Sequence, residues 1–361
     1  MARLGDVCKK GTSNIAQKDL EGHSGIYPIY GASGFITNVD FYQQENSYIA
    51  VVKDGAGIGR IMKLPAKSSV IGTMQYIIPN DTVDISYLAF AMEHMNLSKY
   101  FTGATIPHIY FKDYQKEELP LPSLDEQRKI AAVLDKVSDL IAKRRQQLDK
   151  LDELIKARFV EMFGDEHHLD DWNCVSVGEV ADICVGVVIK PTQYYTDQGG
   201  VPAFRSLNIG AMTIKNADWV YFTKEGHEKN KKSIVCENDV LVVRSGAPGT
   251  ACVVTKEFSG YNAVDIIIAH PNIEKINSVF LAMFTNMPHG MNQIREKTGG
   301  AAQQHFNVGG YKELTVILPP IELQNQFAAF VEQTEKTKTT ISESLQQLET
   351  LKKALMQEYF G

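Results

Sequence analysis

The sequence predicts an α+β fold used twice: two strand-rich globular domains, each followed by a long helix, the halves forming an internal repeat. Three observations carry this. The 44-residue runs that begin at Leu121 and Leu318 align without a gap and are identical at 13 positions, where chance gives about 3. Each run places apolar residues at spacings of three and four and holds no Gly or Pro between its opening prolines and its last residue, as a long helix requires. The residues ahead of each run carry the same short landmarks in the same order.

Those landmarks define the globular parts. Leu4-Gly5-Asp6-Val7 answers Val177-Gly178-Glu179-Val180, and Tyr27-Pro28-Ile29-Tyr30 answers Val201-Pro202-Ala203-Phe204. VVKDGA at 51–56 answers VVRSGA at 242–247, and TGATIPH at 102–108 answers TGGAAQQH at 298–305, followed by Tyr114 and Tyr311 at the common offset of 197. The segments SYIAVV (47–52), VIGTMQYIIP (70–79), DVLVVRS (239–245) and VDIIIA (264–269) are short, β-branched and bounded by Gly, Pro, Asn or Asp, which is strand composition. Short helices are expected near 85–95 and 276–287. The organisation that follows is a first domain over 1–121, a central helix over 122–164, a second domain over 165–318 and a C-terminal helix over 319–361.

The central helix has a seam of Leu134, Val137, Ile141, Leu148, Leu151, Ile155 and Met162, with Arg144 and Arg158 at the remaining seam positions. In the second block the seam reads Val331, Thr334, Lys338, Ile341, Leu345, Leu348, Lys352, Leu355 and Tyr359. Its polar positions fall where the first is apolar, and Ile341 and Leu355 match the two arginines, so each helix is expected to pair with the other. About 38 residues at 1.5 Å each make a rod of roughly 57 Å.

Composition excludes several classes. With 361 residues, 44% hydrophobic and 22% charged, the chain can bury a core and is long enough for two or three domains. Its apolar runs fall far short of the ~20 residues of a membrane span, and residues 1–11 have no signal-peptide core, so a cytoplasmic protein with no membrane partner is expected. Five widely spaced cysteines without a CxxC pair indicate neither a disulfide framework nor a zinc cage. A net charge of −6 argues against coating nucleic acid by bulk electrostatics but leaves a sequence-specific reader open.

Catalytic motifs are missing as well. There is no GxxxxGK[ST] loop, no [N/D]PP[Y/F] element and no GxSxG; the GxGxG of DGAGIGR (54–60) has no following helix and reads as a tight turn. His167, His168 and His289 lack ligand spacing, so no metal and no cofactor is expected. What remains is binding chemistry. Lys53 and Arg244 set a cation beside a flexible loop in both halves, with Arg60 closing the first, and Arg is the usual bidentate partner of guanine. Thr102, Thr105 and His108, and Thr298, Gln303, Gln304 and His305, offer hydrogen-bonding groups on Gly-containing loops. Tyr30 and Ser33, with Arg205 and Asn208, complete the candidates. Each has a plain alternative as a structural turn or a solvated surface group.

The segments LPLPSLDEQRKIAAVLD (119–135) and VILPPIELQNQFAAF (316–330), each following a TG-containing loop and opening a long helix, resemble the specificity subunits of type I restriction–modification systems, and the resemblance covers essentially the whole chain. It implies that the globular parts are target recognition domains, each reading one half of a bipartite site in double-stranded DNA. It implies also that the helices form an antiparallel coiled coil that spaces them, leading out and returning so that Gly361 nears Met1 and the halves are pseudo-two-fold related. Two methyltransferase subunits, which carry the methyl donor, would dock on this scaffold and restriction–translocation subunits would join. Half-sites about one to one and a half DNA turns apart would follow. The chain itself would be non-catalytic. The alternatives are the recognition subunit of a modification-only system, a chain with its own enzymatic activity, and a coiled-coil adaptor without DNA function.

Overall fold

The computed structural model describes residues 1–103, 107–165, 167, 172–197, 199–298 and 305–361. They form two compact units, residues 1–147 with 341–361 and residues 148–340. In the first unit the strands Cys8–Thr12, Met74–Pro79, Tyr48–Val52 and Ile61–Leu64 lie side by side in that order, each antiparallel to the next. In the second, Ala181–Val185, Ile266–Pro271, Val240–Val243 and Ala251–Val253 repeat the order and the sense.

The strands Tyr48–Val52 and Val240–Val243 are buried at every residue because both sheet faces are covered, which is why they read as unbroken apolar runs. Alternate residues serve different cores. Ile49 and Val51 pack with the helix Ile85–His94, whereas Tyr48, Ala50 and Val52 pack with Val70 and Tyr76. Val240 and Val242 pack with the helix Ser278–Asn286, whereas Leu241 and Val243 face Phe204 and Phe258.

A smaller sheet repeats too. Tyr27–Gly31 lies antiparallel to Gly34–Val39 and parallel to Ser69–Val70; Val201–Phe204 lies antiparallel to Val220–Phe222 and parallel to Asn262–Ala263. The second unit adds the hairpin Ile209–Gly210/Thr213–Ile214 and the helices Lys224–Lys229 and Pro288–Lys297. The expected short helices are present, and the strand expected over 70–79 is broken at Ile71-Gly72-Thr73, where the chain leaves the small sheet for the large one.

The helices Leu124–Phe163 and Ile321–Phe360 pack together. In the first unit Ala131 and Leu134 share a core with Met356 and Phe360, and Arg145 pairs with Glu349 at 2.6 Å. In the second, Ile155 and Phe159 share a core with Phe327 and Val331, and Lys338 pairs with Asp152 at 2.7 Å. Numbers rise along one helix as they fall along its partner, so the pair is antiparallel. Leu134, Val137, Ile141 and Ile155 are buried; Leu148, Leu151, Ile341, Leu345, Leu348 and Leu355 are half-buried. Lys338 sits in the seam by laying its stem along it and holding its ammonium between Asp152 and Glu335. Among the described residues no helix is long and apolar enough to cross a membrane.

One residue of the repeated block explains how each helix is anchored. Gln127 and Gln324 are fully buried. The Gln127 side-chain oxygen accepts from the Asp84 backbone N–H at 2.8 Å, and its amide donates to the carbonyls of Pro122 and Thr82 at 2.9 and 3.2 Å. Gln324 does the same with the Asn277 N–H at 2.9 Å and the Pro319 and Lys275 carbonyls at 2.8 and 3.3 Å. Asp84 and Asn277 are the N-caps of the short helices, accepting from their first-turn N–H groups. The identical glutamine therefore ties the start of each long helix to a capped helix of the adjoining globular part. Replacing Gln324 by Ala leaves one donor and two acceptors without their partner in a dry environment, and a loss of about 2–3 kcal/mol is expected in urea unfolding. Gln127→Ala should match it, and a midpoint unchanged in both would show that water replaces the amide.

Candidate nucleic-acid interface

In both units the site begins where a central strand ends. After Tyr48–Val52 the chain turns through Lys53–Arg60, with Gly55, Gly57 and Gly59 at φ of 78°, 86° and 79°. A Cβ on Gly59 would lie 2.5 Å from the Ser98 backbone nitrogen, so only glycine allows this approach. The loop leads into the strand Ile61–Leu64, not a helix, and so has no helix N-terminus for a phosphate. After Val240–Val243 the corresponding turn carries Gly246 and Gly249 at φ of 88° and 90°.

The histidine at the end of each TG segment, His108 or His305, lies against this turn. Thr102 and His108 exchange backbone hydrogen bonds of 2.8 and 2.9 Å, and Ile109 donates to the Lys53 carbonyl at 2.9 Å. The Asp54 carboxylate holds both the Lys53 ammonium and His108 Nδ1. In the second unit Phe306 donates to the Arg244 carbonyl at 3.0 Å, and Ser245 pairs with His305 across an isolated bridge. Landmarks 55 and 61 residues apart in sequence are thus brought together, one pair in each unit, as cation, small polar residue and histidine.

The two versions differ in detail. Lys53 is half-buried, and burial lowers its pKa; burial, then the neighbouring Lys53 charge, hold His108 below the ordinary histidine range. A cleft of about 320 Å³ opens beside them, lined by Lys10, Thr12, Gln75 and Tyr110. Arg244, by contrast, is not the exposed surface cation that the sequence suggested: its side chain is 10% exposed. Its guanidinium donates to Asp265 at 2.7 Å, to the Phe306 carbonyl at 3.1 Å and to His305 Nε2 at 2.6 Å. A guanidinium only donates, so Nε2 is the acceptor and Nδ1 carries the proton that it donates to Ser245 Oγ at 2.8 Å. Arg244 therefore orients His305, which is exposed, and does not itself present a free fork to a base.

The remaining candidates divide similarly. Ser33 is exposed at a hairpin tip, and Tyr30 packs edge-on against Phe35 behind it. Arg60 donates to the Ala32 carbonyl at 2.8 Å, joining that tip to the glycine loop. Thr102 is exposed, whereas Thr298 is half-buried and donates to the Ile294 carbonyl at a helix end. Arg205 is half-buried and donates to the Asp218 carbonyl. Asn208 is fully buried: its oxygen accepts from the Arg205 N–H at 2.9 Å and its amide donates to the Ala217 carbonyl at 2.7 Å. It shapes the turn and has no free edge for a base, because the polar composition read as a contact is satisfied locally. Thr105, Gln303 and Gln304 lie outside the described residues.

The family of the type I restriction modification DNA specificity domain matches residues 1–153 and 169–350. The chain belongs to this family. The type I restriction enzyme MjaVIII specificity subunit of Methanocaldococcus jannaschii is 24% identical over 394 residues, covering 99% of this chain and 90% of the relative. The Escherichia coli EcoBI specificity subunit is 23% identical over 262 residues, 64% of this chain and 54% of that one. A type I S subunit from M. genitalium has the same fold, with a TM-score of 0.63 at 15% identity over 100% of this chain and 95% of the other. A chain from a type I R-M system described for its complex assembly has a TM-score of 0.56 at 16% identity, covering 99% and 96%.

In this specificity-family chain the structure adds residues that sequence reasoning passed over. The loop after Ala181–Val185 exposes Val188 by 47% and Ile189 by 79% and turns at Lys190, whose φ is 45°. Its Val187 carbonyl accepts from the N–H of Asp265, the partner of Arg244, so the loop emerges beside the Arg244–His305 site. Exposed Lys229, Lys231 and Lys232 border a cleft that begins at Val185–Val187. The signal was present in the sequence as three lysines within four residues, the densest cation run of the second half.

Proposed function

We propose that each unit reads one half of a split site in duplex DNA and that the paired helices carry the modification and restriction subunits of a type I system, the chain itself performing no chemistry. The observation that carries this reading is the cation–histidine site built twice from the same landmarks, each at the same end of the corresponding four-stranded sheet. Its groups suit base edges and phosphates. The Ser245 hydroxyl, whose oxygen accepts from His305 and whose hydrogen remains to donate, and His108 with Lys53 offer donors and acceptors on backbone held close by glycine. The dissimilar details, a buried arginine holding an exposed histidine in one unit and a Lys–Asp–His cluster in the other, suit two different half-sites. The net charge of −6 fits a complex in which partner subunits neutralise much of the phosphate.

The repeat also suggests two methyltransferase subunits. Leu154 and Leu351 occupy equivalent positions in the ungapped block, and each is 47% exposed on its helix. An apolar side chain kept outside the seam at both positions fits two copies of one partner. Leu351→Glu should reduce the methyltransferase content of the purified complex from two copies to one, measured by native mass spectrometry, and Leu154→Glu should do the same. Two copies retained in both variants would move the docking surface elsewhere.

The recognition reading is tested by replacing Lys53 and His108 with Ala in the co-expressed complex and mapping methylated bases. One half of the split motif should relax while the other is unchanged. Unaltered specificity in both halves would favour the adaptor.

A further inference from the structure

Cys184 differs from the other four cysteines of the chain. Cys8 and Cys252 are buried, and burial pushes both thiols up to about 12; Cys174 and Cys236 are exposed at the surface. Cys184 is half-buried at the end of the edge strand Ala181–Val185, with its sulfur 3.7 Å from His270 Nε2. The far nitrogen of that ring, Nδ1, lies 2.6 Å from the carboxylate of Asp239, a buried residue whose other oxygen accepts from the Cys236 N–H at 2.6 Å. Asp182 stands opposite His270 in the strand register. The Asp239 hydrogen bond, then the Cys184 contact, raise His270 to about 10, so its imidazolium persists through neutral pH with Nε2–H directed at the sulfur.

A second, separate feature lies alongside. The Cys184 thiol also donates to the Lys232 carbonyl at 3.4 Å, and Lys232 borders a cleft of about 420 Å³ formed by residues 185–187 and 228–233. Its charged groups are Lys229, Lys231, Lys232 and Glu228, a surplus of positive charge. A cation hydrogen-bonded to a thiol, in a basic and partly exposed setting, favours thiolate chemistry and anionic reagents.

From this juxtaposition we propose that Cys184 is a thiol–disulfide exchange site for low-molecular-weight disulfides bearing carboxylates, with His270 as the group that stabilises the sulfur anion and the lysine cleft as the seat of the carboxylates. The Cys184 thiol proton goes to water, and Sγ attacks one sulfur of the disulfide. A new S–S bond forms as the old one breaks, and the departing thiolate takes a proton from solvent. The disulfide supplies the two-electron oxidation, and no other oxidant is needed.

The test treats the full chain with oxidised glutathione and, separately, with the neutral 2-hydroxyethyl disulfide, and locates mixed disulfides by peptide mass spectrometry. Cys184 should react about 10-fold or more faster than Cys236 near neutral pH, with Cys8 and Cys252 unmodified. His270→Gln should remove that advantage with both reagents. Changing Lys229, Lys231 and Lys232, all exposed, to Gln should slow oxidised glutathione several-fold at Cys184 and leave the neutral disulfide unchanged. Reaction at Cys184 no faster than at Cys236 would overturn the proposal. So would a His270→Gln rate equal to wild type, or equal slowing of both reagents in the lysine variant.

Discussion

Exchanging Arg244 for Met is expected to abolish site-specific modification directed through the second unit. The guanidinium is 10% exposed and makes three directed hydrogen bonds, to Asp265, to the Phe306 carbonyl and to His305. Methionine approximates its length but offers no donor, leaving the Asp265 carboxylate without its cation and His305 without the bond that sets its tautomer. Removing one partner of a buried ion pair costs about 3–5 kcal/mol, and because Asp265 is 37% exposed the lower end applies. Lysine restores the charge but replaces a fork by a point, so Arg244→Lys should retain a relaxed specificity, not the wild-type one. The measurement is a genome-wide methylation map for each variant co-expressed with a methyltransferase subunit. Thermal unfolding and subunit co-purification separate lost reading from lost folding. An Arg244→Met map identical to wild type would mean that His305 and Ser245 do not contribute to recognition.

The largest stability effect is expected at Phe159. It is fully buried where the central helix meets the second core, with ring centroids 5.1 Å from Phe163, 5.6 Å from Phe280 and 5.4 Å from Phe327. Truncation to Ala removes a ring from a cluster that supports the helix pair and the sheet together, and about 3–5 kcal/mol should be lost in urea unfolding. Leu154→Ala, five residues away on the same helix but 47% exposed, should stay within about 0.5 kcal/mol. Equal effects of the two would contradict the assignment of the helix's inner face.

The parts of the fold legible in the sequence are those governed by repetition and period. The ungapped block repeats Gln127 as Gln324 because the same helix-to-cap tie is needed twice, and the seam spacing coincides with the buried and half-buried positions of both helices. The juxtaposition at each candidate site was legible only as paired landmarks, since the Lys53 and Arg244 turns and the histidines His108 and His305 recur in the same order. What each side chain does there was not. The burial of Arg244 depends on Asp265 and His305, 21 and 61 residues away, and the enclosure of Asn208 depends on carbonyls of the following loop. Such long-range partners leave no periodic trace. Ile189 was invisible for the opposite reason: an apolar residue in a short run reads as core, and only the fold shows it facing solvent.

The most direct measurement of the central claim is to co-express this chain with a type I methyltransferase subunit and map methylated bases across the genome. The duplicated site predicts a single split motif, two specific half-sites around an unread spacer, absent from cells that express either chain alone. A motif without a spacer, or methylation that does not depend on this chain, would contradict recognition by two separate units.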